Sequence, residues 1–159
     1  MQLQDARQLA ERLLAKHKLS GWSFGFDNAK LRSGICRYRS RSITLSRHMV
    51  LLNDENIVRD TILHEIAHAI VGAGKGHGNE WLRKAVSIGC TGERCTSSDA
   101  LVPEYPFMAH CPNCKKTVGR FRLPKSRRIA CGACCDLNSN GRFDERYVLI
   151  WKRKSKYEC

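Results

Sequence analysis

Apolar residues recur at helical spacing in three segments of the first half of the chain. Residues 3–18 form the first segment, in which apolar positions three and four apart predict an amphipathic helix. A second helix is predicted at about 54–72, starting at Asn53 or Asp54 and ending in a run of glycines. A third is predicted at about 79–88. The apolar side of the first helix comprises Leu9, Ala10, Leu13 and Leu14.

Alternation of apolar and polar residues predicts the strands. Residues 22–26 read Trp-Ser-Phe-Gly-Phe, which is typical of a half-buried strand. Two more strands near 31–38 and 41–46 complete a small antiparallel sheet beside the helices. Shorter strands are predicted near 117–123 and 145–152. The fold class is therefore α+β.

The chain length allows one sizeable core and a small appendage. With 159 residues, we predict a main domain at 1–95 and a small second domain at 110–159. Residues 96–109 contain Pro103 and Pro106 and are predicted to be a linker that partly covers the cleft of the main domain. No repeat and no membrane-spanning run is evident in the sequence.

The second predicted helix carries a motif with a specific chemistry. His64, Glu65 and His68 form the pattern H-E-x-x-H, and residues four apart lie on one face of a helix. Both imidazoles can therefore bind one Zn²⁺, while the Glu acts as a base toward water that the metal activates. The motif lies within an apolar run, where unpartnered polar side chains would be costly to bury. We predict a catalytic zinc site with Glu65 as the catalytic base.

A catalytic zinc site requires a third protein ligand and one open position. His77 is our candidate, because it lies nine residues after His68 in a glycine-rich turn that can fold back on the helix. A carboxylate ligand from Glu80 is the alternative. The longer metzincin motif does not fit, because it needs Gly at 71 and His at 74, where this chain has Val71 and Gly74.

Two C-x-x-C pairs near the C-terminus predict a second metal site. Sixteen residues separate the pairs, a spacing that fits a closed, structural four-cysteine zinc ribbon. His110 and Cys135 are weaker alternatives as ligands, because they fall outside the C-x-x-C spacing. We therefore predict two zinc ions, one catalytic and one structural. The predicted ribbon ligands are Cys111, Cys114, Cys131 and Cys134.

The remaining cysteines give no sign of a disulfide framework or of a catalytic thiol. Nine cysteines is an odd number, and residues 2–18 read as a polar amphipathic helix, unlike a signal peptide. A reducing, cytoplasmic location is therefore expected. We assign no role to the five others, although Cys90 and Cys95 could form a weak metal or redox pair. These five are Cys36, Cys90, Cys95, Cys135 and Cys159.

The chain is strongly basic, with a formal net charge of +13. Residues 110–159 hold thirteen of the 28 Lys and Arg side chains but four of the 15 Asp and Glu, and aromatic residues lie among them. A basic face with exposed rings favours nucleic-acid binding, by charge to phosphates and by stacking on bases. An ordinary solvated surface is the alternative. The candidate contacts are Arg120, Arg122, Lys125, Arg127, Arg128, Trp151, Lys152 and Arg153.

A second basic cluster lies in the main domain. No acidic residue occurs between Lys30 and Arg47. If residues 31–38 and 41–46 are strands of a hairpin, alternation places the central arginines largely on one solvated face. Those arginines are Arg37, Arg39 and Arg41.

The sequence around the motif resembles the SprT-like metalloproteases, relatives of Spartan. The resemblance is carried by residues 64–69, which read HEIAHA, and by residues 76–81, which read GHGNEW. It implies a zincin-like minimal metalloprotease domain, with His64, His68 and His77 as zinc ligands. Bacterial members often end in a zinc ribbon, so the resemblance extends downstream. It also implies a substrate class, namely proteins bound or crosslinked to DNA.

The sequence therefore favours a zinc metalloendopeptidase that acts on protein substrates and associates with DNA, single-stranded DNA included, near the nucleoid. Two alternatives stay open: a zinc peptidase without a nucleic-acid role, and a non-catalytic zinc-containing DNA-binding protein. The oxyanion-stabilising donor is not identified by any pattern. Tyr105, His48 and Arg41 are the candidates for it.

Overall fold

The computed structural model describes residues 1–94, 99–126 and 128–154. The chain divides into two units, the first spanning Met1–Pro103 and the second beginning at Glu104. Three residues named in the sequence analysis lie outside the described residues. They are the candidate nucleic-acid contact Arg127 and the cysteines Cys95 and Cys159. No helix of the described part is long and apolar enough to cross a membrane.

The first unit contains four helices and three strands within its described part. The helices α1, α3 and α4 lie where the periodicity predicts them, with ends that differ by up to two residues. The short helix α2 was not predicted; it begins after Ser46, whose hydroxyl accepts a hydrogen bond from the Met49 N–H at 3.2 Å. The elements are α1 (Leu3–Lys16), β1 (Ser23–Asp27), β2 (Gly34–Arg37), β3 (Ser42–Ser46), α2 (Arg47–Leu52), α3 (Glu55–Val71) and α4 (Asn79–Ser87).

The sheet of the first unit is mixed, so the prediction of an antiparallel sheet is wrong for one of its two pairings. Strands β2 and β3 form the expected antiparallel hairpin, but β1 pairs in parallel with β3, giving the order β1-β3-β2. Strand β3 is central, with β2 hydrogen-bonded along one edge and β1 along the other. Alternation within a strand reports which face is buried and carries no information about the direction of its neighbour.

The hairpin turn also corrects the predicted basic face. Strand β2 ends at Arg37, and Arg41 has a left-handed φ of 45° in the turn. Arg39 is exposed in the same turn. Only Arg37 therefore lies in a strand, so strand alternation does not place the three arginines on one face as predicted.

The core of the first unit joins α1, the sheet and α3. Its largest fully buried side chains include Trp81, Ile43 and Ile62. The apolar side of α1 packs into the same cluster, which contains sixteen buried residues. Helix α3 thus passes through the centre of the unit, and the two histidines of its motif are held by a rigid framework.

The second unit is a small three-stranded antiparallel sheet with one short helix. Strand β4 lies between β5 and β6 and occupies part of the segment predicted as linker. The strand predicted at 145–152 is instead a 3-10 turn followed by β6, because the Asp144 carboxylate caps the turn through the Arg146 N–H. The elements are β4 (Phe107–His110), β5 (Thr117–Arg120), α5 (Gly132–Asn138), the 3-10 turn (Glu145–Tyr147) and β6 (Ile150–Arg153).

Candidate metal centres

Helix α3 presents His64 and His68 on one side. Its N-terminus is capped by Asp54, whose carboxylate accepts a hydrogen bond from the Ile57 N–H at 3.1 Å. Its C-terminus is Gly72, with a left-handed φ of 87° that favours glycine. Because the two histidines are one turn apart on a straight helix, their rings lie together, with centroids 5.0 Å apart.

The loop after α3 brings a third histidine to this pair. Gly74 and Gly76 also have left-handed φ values, of 81° and 52°, and the chain turns back on the helix. The Nε2 atom of His77 lies 3.0 Å from that of His64 and 3.1 Å from that of His68. The three ring nitrogens therefore converge on one point.

This arrangement fits a zinc ion. His77 Nε2 makes both close contacts, yet in a neutral ring this atom carries either one N–H or one lone pair and so cannot form two good hydrogen bonds. Zinc–nitrogen bonds of about 2.0–2.1 Å in a tetrahedral site separate the nitrogens by about 3.3 Å, close to the distances found here. Burial, followed by the neighbouring histidines, lowers the pKa of His64 and of His68 to about 4. Both rings are thus neutral near pH 7, the state in which imidazole binds a metal.

Trp81 of α4 packs against all three histidines. It is 0 % exposed, and its ring centroid lies 4.6–5.2 Å from theirs. With His68 the rings are stacked, at an interplanar angle of 28°. The resemblance to a family motif included this residue but gave it no role. In the structure, its packing restricts the orientation of the three histidine rings.

Glu65 is positioned by strand β2. It is 7 % exposed, and it accepts a hydrogen bond from the Cys36 N–H. It also packs so closely on Gly34 that a Cβ there would lie 2.8 Å from Glu65 Oε1. Burial raises the pKa of Glu65 to about 7, and the charge of Arg32 opposes that rise. A carboxyl group with a pKa near neutrality is suited to take up and release a proton.

Glu65 and the three histidines line the same cavity, of about 610 Å³. Glu80 is elsewhere: it is exposed and its carboxylate pairs with Lys75 Nζ at 2.9 Å. The third candidate ligand of the cluster is therefore His77 and not Glu80. Of the proposed oxyanion donors, His48 and Arg41 do not line the cavity, whereas Tyr38, which the sequence reasoning missed, does. Tyr105 belongs to the second unit.

Comparison with known families matches this unit. A model of the SprT-like family matches residues 3–100, which is more than half of the chain.

The chain belongs to the SprT-like family.

The matched segment contains all three histidines, Glu65 and Trp81 of the SprT-like unit. It ends before the first C-x-x-C pair, so the second unit lies outside the match. A search of curated proteins found no match to the chain.

The unit that follows the SprT-like match holds the four-cysteine cluster. The sulfur atoms of Cys111 and Cys134 are 3.7 Å apart, as are those of Cys114 and Cys131. Disulfide sulfurs would be about 2.05 Å apart, whereas a tetrahedral site with zinc–sulfur bonds of about 2.3 Å separates its sulfurs by about 3.8 Å. The cluster therefore fits a metal and not a disulfide. Neither His110 nor Cys135 is part of it within the described residues.

The thiols outside the cluster have no features of a nucleophile. Cys36 lines the cavity, but burial, followed by the charge of Glu65, raises its pKa to about 12. Burial likewise raises the pKa of Cys90 to about 11. Cys135 is buried and packs in the core of the second unit. The thiols of Cys36 and Cys90 are therefore protonated near pH 7, whereas the thiolate is the reactive form.

The candidate nucleic-acid residues do not form one basic, aromatic face. Arg120 and Arg153 pair with the same residue of β4 and share a face, whereas Lys152 is at the next position and points to the opposite face. Trp151 is half-buried against the core, so the expected exposed ring is not available there. Tyr147, also expected among exposed rings, is buried, and Phe143 is 54 % exposed.

Several of the candidate charges are nevertheless free. Arg128 forms an ion pair with Glu145. The five other candidate cations in the described ranges form no ion pair with any residue described there, and they are exposed. These exposed cations are Arg120, Arg122, Lys125, Lys152 and Arg153.

Proposed function

We propose that this protein is a zinc-dependent metallopeptidase that acts on proteins bound or crosslinked to DNA. The observation that carries the peptidase proposal is the convergence of three histidine Nε2 atoms in one cavity with a buried Glu65, in a chain of the SprT-like family. Purely structural sites close all four metal positions with protein ligands, and a three-histidine set leaves one position open.

The residues of the cavity have separate roles in the proposed hydrolysis. His64, His68 and His77 would hold the zinc ion, which would polarise the scissile carbonyl and lower the pKa of water. Glu65 accepts the proton of the attacking water and delivers it to the leaving amine. Strand β2 fixes Glu65 in place through the Cys36 N–H and the close contact with Gly34.

We infer that the second unit supplies DNA affinity, single-stranded DNA included, and that the protein works in the cytoplasm at the nucleoid. The five exposed cations defined above support this, because a side chain without an ion-pair partner can replace a counterion at a phosphate. The half-buried Trp151 favours binding by charge over stacking on that ring. DNA would then hold enzyme and target protein together and raise their effective concentration.

The test is cleavage of a DNA-bound basic protein, and of the enzyme itself, with and without single-stranded DNA. The Glu65→Gln variant is the control, because it keeps the shape of the side chain and removes the base. We expect a loss of roughly 10²–10⁴-fold in turnover, the range for general-base catalysis. Zinc content should stay at the parent value in Glu65→Gln and fall in His77→Ala.

The outcomes separate the alternatives. Cleavage that depends on Glu65 and is stimulated by DNA supports the whole proposal. Cleavage that depends on Glu65 but ignores DNA leaves a general zinc peptidase. Cleavage retained in Glu65→Gln would contradict the assignment of the base, and no cleavage by the parent protein in any condition would favour a non-catalytic DNA-binding protein.

A further inference from the structure

The cavity beside the three histidines is lined by equal numbers of cationic and acidic side chains. Its charged lining residues outside the histidines are two cations, Arg32 and Arg94, and two acids, Asp60 and Glu65. The Asp60 carboxylate accepts hydrogen bonds from the Thr91 N–H at 2.7 Å and from the Thr91 hydroxyl at 3.0 Å, and because both donors are neutral its charge remains. The two charges of each sign balance, so a metal ion at the histidines would give the lining a net positive charge. An anionic group therefore gains the most by entering.

Arg32 is held rigidly at the wall of this cavity. Its Nη2 atom donates to Asp27 Oδ2 at 2.7 Å. Asp27 is itself fixed, since it accepts hydrogen bonds from the Thr44 hydroxyl at 2.8 Å and from the Ala29 N–H at 2.9 Å. These bonds tie the loop between β1 and β2 to the sheet, so the guanidinium is oriented before any ligand arrives.

The other end of the guanidinium is left without an acceptor. Arg32 Nη1 is buried and has no hydrogen-bond partner among the described residues. The side chain as a whole is 38 % exposed and faces the cavity. A buried donor without a partner is costly, so the guanidinium gains from a small rotation that brings Nη1 to an acceptor in the cavity. Carboxylates match the fork of N–H groups on arginine better than any other protein group.

We infer that Arg32, positioned by Asp27, recognises a carboxylate side chain of the substrate near the scissile bond, so that the protease prefers sites flanked by Asp or Glu. This inference rests on the proposed function and names the substrate class for it. Arg32 is a specificity-determining residue here and not a catalytic one. Arg94 adds a second positive charge to the same cavity.

Peptide binding tests this without requiring turnover. The full chain with zinc and with Glu65→Gln would be titrated with fluorescent twelve-residue peptides, in which one Gln at a time is replaced by Glu, and anisotropy would give each Kd. We expect at least one position at which Glu binds about tenfold more tightly than Gln, as for one charge-assisted hydrogen bond. Arg32→Gln on this background should reduce that ratio to about one.

The matched control is Arg37→Gln. Arg37 carries the same charge and lies beside the same Asp27, with Nη2 4.0 Å from Oδ2, but it does not line the cavity. Its variant should keep the preference for Glu. Arg32→Lys should keep part of it, because the charge remains and the fork is lost. Arg32→Glu should favour a Lys peptide over the Gln peptide.

Two results would overturn the inference. One is that the Glu65→Gln parent binds the Glu and Gln peptides equally well at every position, or binds none of them. The other is a preference for Glu that survives Arg32→Gln or is equally lost in Arg37→Gln. Turnover of the same peptides by the protein with Glu65 intact is measured separately, so failure of the peptidase proposal is distinguishable from failure of the recognition by Arg32.

Discussion

The two candidate metal centres of this protein differ in how they relate to the hydrophobic cores around them. In the first unit the core cluster has sixteen buried residues, and none of the three histidines belongs to it. In the second unit the buried cluster has seven residues, and three of them are the cluster cysteines Cys111, Cys131 and Cys134. The first site therefore lies beside a core that contains none of its histidines, whereas the second site supplies three of the seven buried residues of its core.

This difference indicates what a metal ion would do at each candidate site. A fold that is complete without a metal can leave one coordination position open for chemistry. A unit whose small core is built largely around ligand thiols would need the metal to fold, as small zinc domains do. The same element would thus serve catalysis in one unit and stability in the other.

The largest expected effect comes from removing zinc with a strong chelator. Structural zinc supplies about 10–16 kcal/mol of apparent free energy in small zinc domains near pH 7. We therefore expect the second unit to unfold and the first unit to stay folded. Amide hydrogen exchange on the full chain would check this, with protection lost at Ala109 and kept at Ile62 and Ile66.

Equal loss of protection in both units would contradict the distinction. Cys131→Ser is the matched genetic test, because it removes one ligand of the second site and leaves the first site unchanged. It should reproduce the effect of the chelator on the second unit alone, with His77→Ala as the reciprocal variant.

A smaller effect is expected at Trp81, where the first core and the first metal site meet. Trp81→Ala removes a fully buried ring that contacts all three histidines, and such changes cost about 3–5 kcal/mol of unfolding free energy. Loss of support for ligands also lowers metal affinity, typically by about 10–100-fold. Urea denaturation and a competitive zinc titration would measure the two quantities.

Trp81→Phe provides the control. The Nε1 atom of Trp81 has no hydrogen-bond partner among the described residues, so phenylalanine sacrifices ring volume and no hydrogen bond. We expect a clearly smaller loss of stability than for alanine. Equal losses for the two variants would mean that the ring does not act by packing.

A smaller loss of stability than at Trp81, but a large loss of activity, is expected for a substitution at Gly34. A Cβ at this position would lie 2.8 Å from Glu65 Oε1 and 2.8 Å from Leu45 Cδ2. Overpacking of this kind costs about 1–3 kcal/mol, and here it displaces the base. Gly34→Ala should therefore lower turnover far more than its modest loss of stability would suggest.

Gly25→Ala is the matched control in the same sheet. A Cβ at Gly25 would meet Thr44 Cγ2 at 3.7 Å, an ordinary contact. Its turnover should remain near that of the parent protein. Turnover and thermal unfolding measured for both variants would separate displacement of Glu65 from a general weakening of the sheet.

The features that the sequence predicts well are those that depend on local spacing. Helix α3 was predicted at about 54–72 and runs over Glu55–Val71, because a continuous apolar run and a capping Asp54 define both its length and its start. The grouping of the C-x-x-C cysteines follows from spacing in the same way. His77 was predicted as the third ligand because the glycines before it let the chain turn back after the helix.

The features that the sequence did not predict depend on distant contacts. Arg32 and Gly34 come near Glu65 only because β2 lies against α3, and no local pattern reports this packing. Helices α2 and α5 have six and seven residues, too few for a periodic signal. Trp151 looked like an exposed ring in a basic stretch, but β6 turns it toward the core of the second unit.

The smallest expected effects are those of single cations on the second unit, where they test the contrast between the proposed catalytic unit and the proposed DNA-binding unit. Each phosphate contact contributes about 0.7–0.9 to the slope of log affinity against log salt concentration. Lys125→Ala should thus weaken binding of single-stranded DNA and reduce that slope by about one. Arg128→Ala, which removes a cation already paired with Glu145, should change it less. Fluorescence anisotropy at several salt concentrations would measure both slopes, and identical slopes for the two variants would show that an existing ion pair does not determine which cations reach the phosphates.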